Sequence, residues 1–129
     1  MVVKDVKGMY TIEVDKARKL VTETPVGLWK NEDVERFHND YATKIMPKLG
    51  GAKEWAILSD LRQYKTSNVV SELQNHVMWK VEKGLNRAAI VVDSAINKMQ
   101  MKRTGGTAME PMPFSSIEEA SDWLKGQGF

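Results

Sequence analysis

The chain of 129 residues contains no cysteine. That absence excludes disulfides, thiolate metal ligands and cysteine nucleophiles together, and it points to a cytoplasmic rather than a secreted protein. Long apolar runs are missing too. None approaches the roughly 18 residues that a membrane-spanning helix needs. The opening MVVKDVKGMY places lysines among its apolar residues, so no signal peptide is expected. Nor is there an excess of one charge: 19 basic and 17 acidic side chains leave a formal net charge of +2, too even to draw nucleic acid by bulk attraction. Catalytic signatures are lacking. There is no G-x-S-x-G elbow, no phosphate-binding P-loop and no dinucleotide-binding glycine pattern. The pairs Gly50–Gly51 and Gly105–Gly106 follow helical stretches, where glycine is expected as a stop. The two histidines, His38 and His76, fall in different helical segments with no H-x-x-x-H pairing. They read as packing residues, and neither a metal nor a cofactor is expected.

What is present is a chain that is 42% hydrophobic and 28% charged, enough for a packed core and against disorder. With no repeat, linker or low-complexity tract, residues 1–129 read as a single domain. MYTIEV, Met9 to Val14, alternates apolar and polar residues like a half-buried strand, and LVTETPVG, Leu20 to Gly27, is placed to pair with it as a hairpin. Asn31, followed by Glu32, Asp33 and Glu35, predicts a helix start. Val34, Phe37, Tyr41, Ile45 and Leu49 form its apolar stripe, with a kink or fraying expected at Pro47. WAIL, Trp55 to Leu58, is apolar at consecutive positions and suits a central strand covered on both faces.

A second helix is expected over about Asn68 to Lys83, with Val69, Val70, Leu73, Val77 and Val81 inward. NRAAIVVD, Asn86 to Asp93, is the clearest strand, and Ser94 can cap a third helix ending at Gly105 and Gly106. In MEPMPF, Met109 to Phe114, Pro111 and Pro113 sit two apart, which confines the segment to a sheet edge. Ser115–Glu118 and Ser116–Glu119 both fit a capping box for a last helix with Ile117, Ala120 and Leu124 inward. The order is ββαβαβαβα: an α/β fold with a mixed, mostly parallel sheet of about five strands, an N-terminal antiparallel hairpin and four helices.

That order, with AILSDLR ending a strand in an acid, NRAAIVVD leading into a helix, and Phe114, Glu118, Glu119, Trp123 and Leu124 closing the chain, resembles the bacterial SpoIIAA-like family. The resemblance covers nearly the whole chain and implies a STAS-like fold, similar to that of the CRAL-TRIO lipid carriers. It implies a non-enzymatic module that binds a protein partner or a small ligand and acts in regulation. The alternative is a carrier of a small hydrophobic or lipid-like molecule.

In an open α/β sheet, ligands bind beyond the carboxyl ends of the parallel strands. Asp60, Arg62, Tyr64, Lys65, Thr66, Ser67 and Asn68 lie there, at the mouth of the second helix, and are the candidate ligand or partner site. STAS-type antagonists of anti-sigma factors carry a phosphorylatable serine at this place in an Asp-Ser-Ser-Gly-like motif. Here the corresponding residues are about Lys65, Thr66, Ser67 and Asn68: the hydroxyls remain, while the acid and the glycine do not. The other reading is that Thr66, Ser67 or Asn68 simply caps the helix. Trp79 falls among polar residues on the outward helical face and is the candidate for self-association into a homo-oligomer. Met99, Met101, Met109 and Met112 cluster beside Lys98, Lys102 and Arg103; core packing, with Met99 inward, stands against an adaptable apolar pocket or a membrane contact. Small anionic and small hydrophobic ligands both remain open.

Overall fold

The computed structural model describes residues 1–65, 68–93, 99, 103 and 108–129. The described residues contain eight strands: β1 (Val2–Lys4), β2 (Tyr10–Asp15), β3 (Leu20–Pro25), β4 (Gly27–Leu28), β5 (Trp55–Asp60), β6 (Tyr64–Lys65), β7 (Leu85–Val91) and β8 (Met112–Phe114). Helix α1 (Asn31–Asp40) runs through a wide π turn (Tyr41–Ile45) into α2 (Met46–Lys48); α3 (Val70–Glu82) and α4 (Ile117–Gly126) follow. The expected third helix lies outside the described residues save for Met99 and Arg103. Met99 is 65% exposed, which corrects its assignment to the core.

The main sheet has six strands in the order β1-β2-β3-β5-β7-β8, one more than the sequence suggested, because a three-residue edge strand is too short to show a period. β1, β2 and β3 are antiparallel, whereas β3, β5, β7 and β8 run parallel. β5 is the buried centre that WAIL called for, every residue of it covered. β8 takes the far edge, where a proline is tolerated. The short strands β4 and β6 pair separately in parallel and tie the loop after β3 to the loop after β5.

Strand side chains alternate between faces, and two cores result. One holds Val21, Ile57, Ala88 and Ile90 under Val34 and Phe37 of α1 and Leu73 of α3. The other holds Leu20, Ala56, Leu58, Ala89 and Val91 under Ala120 and Leu124 of α4. In α4 the Ser116 hydroxyl accepts the Glu119 amide at 3.2 Å, so the second of the two capping boxes sets the start. Ile117, expected inward, is 41% exposed in the first turn. The start of α1 is set by the Asp33 carboxylate, which accepts the Lys30 amide at 2.8 Å; Lys30, not Asn31, is the cap position.

Two departures place the interior chemistry. Pro47 has no amide to continue the ladder, and the helix answers with the π turn just before it, closed by the Met46 amide on the Tyr41 carbonyl. Tyr41 and Ile45 are both fully buried there. On α3 the deepest residues are Leu73, His76 and Lys80, while Val70, Val77 and Val81 are only half-buried. The inward face is therefore rotated from the valine stripe and carries two polar side chains.

Candidate functional site

Glu23 lies on the same strand face as Val21 and beside Ser59 in the β3–β5 register, so both polar side chains rise into the core under α1 and α3. Glu23 is 7% exposed and Ser59 4%. The Glu23 carboxylate is met from three sides. Ser59 donates its hydroxyl to Oε2 at 2.8 Å, Lys80 donates from Nζ to Oε1 at 2.8 Å, and the Tyr41 hydroxyl donates to Oε1. Tyr41 is the first residue of the π turn. Lys80 is 1% exposed, its Nζ lying 4.0 Å from the centre of the Tyr41 ring and 5.2 Å from that of Phe37. Cation–π attraction to these two rings supplements the ion pair. Burial pushes the Lys80 ammonium's pKa down, and the Glu23 carboxylate pushes back. Burial likewise raises the Tyr41 phenol, with Glu23 adding to it.

One turn from Lys80, His76 is 3% exposed. Its Nδ1 lies 2.9 Å from Nδ1 of His38 on α1, so one of the two rings donates to the other. The His76 Nε2 is buried with no hydrogen-bond partner among the described residues. Burial, then the charge of Lys80, lowers its pKa well below the ordinary histidine value, so the ring is neutral near pH 7. The satisfied packing histidine of the sequence reading is thus only half satisfied. Glu35 stands three residues before His38 and Glu72 four before His76, and all four line a hollow of about 400 Å³ between α1 and α3. No three His, Asp or Glu side chains among the described residues converge closely enough to hold a metal ion.

Beneath α3, Glu23, Ser59, His76 and Lys80 form the polar part of the wall of a cavity of about 70 Å³. The rest of the wall is apolar and includes Phe37, Ile57, Leu73, Leu85, Ala88 and Ile90. An apolar hollow with a few convergent polar groups is the usual form of a small-molecule site.

The residues singled out from the sequence lie at and beyond the carboxyl end of β5. Asp60 closes β5 and is 6% exposed. Its Oδ1 accepts the Arg62 amide at 3.2 Å and Nε at 2.9 Å, and its Oδ2 accepts Nη2 at 2.9 Å. Those bonds hold the Asp60 carboxyl below its ordinary range and engage the guanidinium that the anion-binding reading relied on. Tyr64 is buried with its ring 5.9 Å from that of Trp29, whereas Lys65 and Asn68 are exposed. Thr66 and Ser67 lie outside the described residues. Val69 occupies the cap position of α3 with no side-chain bond, so Asn68 does not cap it. Trp79 is half-buried, its ring 4.6 Å from that of His38 and 6.1 Å from that of His76.

Sequence reasoning missed Glu23, Tyr41, Ser59 and Lys80. A signal existed for two of them. Glu23 has the strand parity of Val21, and Lys80 follows Leu73 by seven residues and His76 by four, one helical face.

This architecture is the SpoIIAA-like, STAS-type α/β fold. A protein of the DUF3478 family from Shewanella loihica PV-4, described as uncharacterised with a SpoIIAA-like fold, superposes with a TM-score of 0.65 at 19% identity, covering 89% of this chain and 93% of that one. The Bacillus cell fate determinant SpoIIAA in its phosphorylated form superposes with a TM-score of 0.57 at 16% identity, over 89% of this chain and 98% of that one. No protein-family model matches the chain, and no curated protein does. Among the described residues no helix is long and apolar enough to cross a membrane.

Proposed function

We propose that this chain is a non-enzymatic, regulatory STAS-like module of the bacterial cytoplasm whose switch is a small ligand bound in the cavity beneath α3. The observation that carries the reading is a small cavity whose apolar wall meets the buried polar cluster of Glu23, Ser59, His76 and Lys80. The loop from Asp60 to Asn68 is the face offered to a protein partner. It continues from β5, which carries Ser59, and leads into α3, which carries His76 and Lys80, so occupancy of the cavity and the shape of the loop share the same two elements.

A second reading, a carrier of a hydrophobic molecule, draws on the apolar share of the wall. Native mass spectrometry of freshly purified protein tests both. A retained small molecule that is lost in a cavity-filling Ala88→Leu variant is expected. A parent protein that is always ligand-free, and that shows no thermal stabilisation by any member of a metabolite library, would refute the reading.

A further inference from the structure

We infer that His38 and His76 form a proton relay between the surface and the core: a proton taken up by His38 moves the N–H of His76 from Nδ1 to Nε2 and loosens α3 from α1. The relay does not depend on a ligand in the cavity beneath α3.

The two Nδ1 atoms are 2.9 Å apart. A bond of that length holds one hydrogen between two nitrogens, so one ring donates and the other accepts. Among the described residues it is the only hydrogen bond between α1 and α3. Rings pack beside it, the Trp79 centre 4.6 Å from that of His38 and the Phe37 centre 5.1 Å from that of His76. The two histidines differ in exposure. His76 is 3% exposed, and its Nε2 has no partner among the described residues. His38 is half-buried and lines the hollow between the helices.

Two arrangements of the neutral pair make the bond. If His38 donates, the hydrogen of His76 sits on Nε2, as a buried N–H without an acceptor. If His76 donates, its Nε2 is bare and the hydrogen of His38 sits on that ring's own Nε2. Buried N–H groups without an acceptor are rarer than under-satisfied acceptors, so His76 is the donor.

A proton added to the pair goes to His38. Glu35 and Glu72 line the hollow beside it. His76 instead meets the Lys80 ammonium, itself paired with Glu23, and the Tyr41 ring, 5.2 Å away between centres. Burial and then the charge of Lys80 keep a proton off His76. Protonated His38 carries an N–H on both nitrogens and can only donate. His76 must then accept at Nδ1, so its single hydrogen moves to Nε2. The acid form thus holds the unpartnered buried donor that the neutral form avoids, which is destabilising. That cost is relieved when α3 lifts from α1 and the N–H meets water. Helix α3 follows the Asp60–Asn68 stretch and carries Lys80 of the Glu23 cluster, so loosening it reaches both.

The test is long-range proton–nitrogen NMR of the imidazoles in the full chain, labelled with nitrogen-15, between pH 8 and pH 5, which spans the ordinary histidine range. At pH 8 the His76 Nδ1 should be protonated and its Nε2 bare. Toward pH 5 the two should exchange, with the midpoint of the His38 titration. In His38→Asn and His38→Phe, which cannot titrate at that position, the His76 tautomer should stay constant over the same range. A His76 tautomer that does not change while His38 titrates would overturn the relay. So would a folded His76 protonated on both nitrogens. Amide hydrogen exchange, corrected for its intrinsic pH dependence, reads the loosening. On the acid side α3 should exchange about tenfold faster relative to α4 in the parent, and not in His38→Asn. Exchange of α3 that keeps step with α4 would refute the loosening.

Discussion

Replacing Lys80 by methionine removes a buried charge and keeps the length of the side chain. In the parent, the ammonium at 1% exposure is held by Glu23 at 2.8 Å and by the faces of Tyr41 and Phe37. In the variant, Glu23 keeps two hydroxyl donors but loses its counter-charge. Breaking a buried pair from one side destabilises by about 3–5 kcal/mol, whereas removing both charges together is often close to neutral. Glu23→Gln should act similarly, because it strands the ammonium while leaving an acceptor for Tyr41 and Ser59. The double variant Glu23→Gln/Lys80→Met should be distinctly more stable than either single variant. The assay is equilibrium urea unfolding of all four proteins. With a urea dependence of about 1–3 kcal/mol per molar, each single variant should lower the midpoint by more than about 1 M, and the double variant should recover most of that. A Lys80→Met midpoint within about 0.3 M of the parent, or single effects that simply add, would show that the pair is solvated and refute the reasoning.

Three further outcomes are expected. Native His76 stays neutral, because its pKa is held well below 6.5, while the unfolded chain takes up a proton below about pH 6.5. Stability should therefore fall with decreasing pH from that point, by up to about 1.4 kcal/mol per pH unit, until the folded-state value is reached. Urea midpoints at pH 7.5, 6.5 and 5.5 should show this slope in the parent and a shallower one in His76→Phe. Gly84 has φ +104°, and a Cβ there would lie 2.4 Å from the Lys53 carbonyl oxygen. Gly84→Ala should lose about 2–4 kcal/mol in the same urea assay, from left-handed strain plus backbone overlap. Trp79→Ala should shift any oligomer seen by sedimentation toward monomer; an unchanged distribution would remove Trp79 as a self-association contact.

Much of the fold was legible because its signals are local. The continuous apolar run of β5, the prolines of the β8 edge and the Ser116–Glu119 cap each act over a few residues, and each stands where the pattern put it. Misplacements came where local rules compete with packing. Period and hydropathy put Val69, Val70, Leu73, Val77 and Val81 inward; Val69 and Leu73 are buried as expected, yet the helix turned His76 and Lys80 inward in place of Val77 and Val81, because β3 and the π turn supply partners for the charge. A lysine is normally assigned to solvent, and only a carboxylate waiting in the core reverses that. Glu23 stands 57 residues before Lys80 and Tyr41 stands between them, so no window of sequence contains the cluster. The stretch from Asp60 to Asn68 stood out in the sequence for the opposite reason: its polar residues are consecutive.

By itself, the sequence determined the succession of β2, β3, α1, β5, α3, β7, β8 and α4, that β5 is central and β8 lies at an edge, and the absence of cysteine chemistry. Those follow from backbone periodicity, from the missing amide of proline and from composition. Only the tertiary structure decided that a glutamate, a serine, a tyrosine and a lysine share one buried hydrogen-bonded cluster. The same packing left the His76 Nε2 with no partner among the described residues. The physical reason is that burial gives a charge its meaning: a lysine that is ordinary in water needs a specific partner out of it, and that partner is chosen by three-dimensional packing.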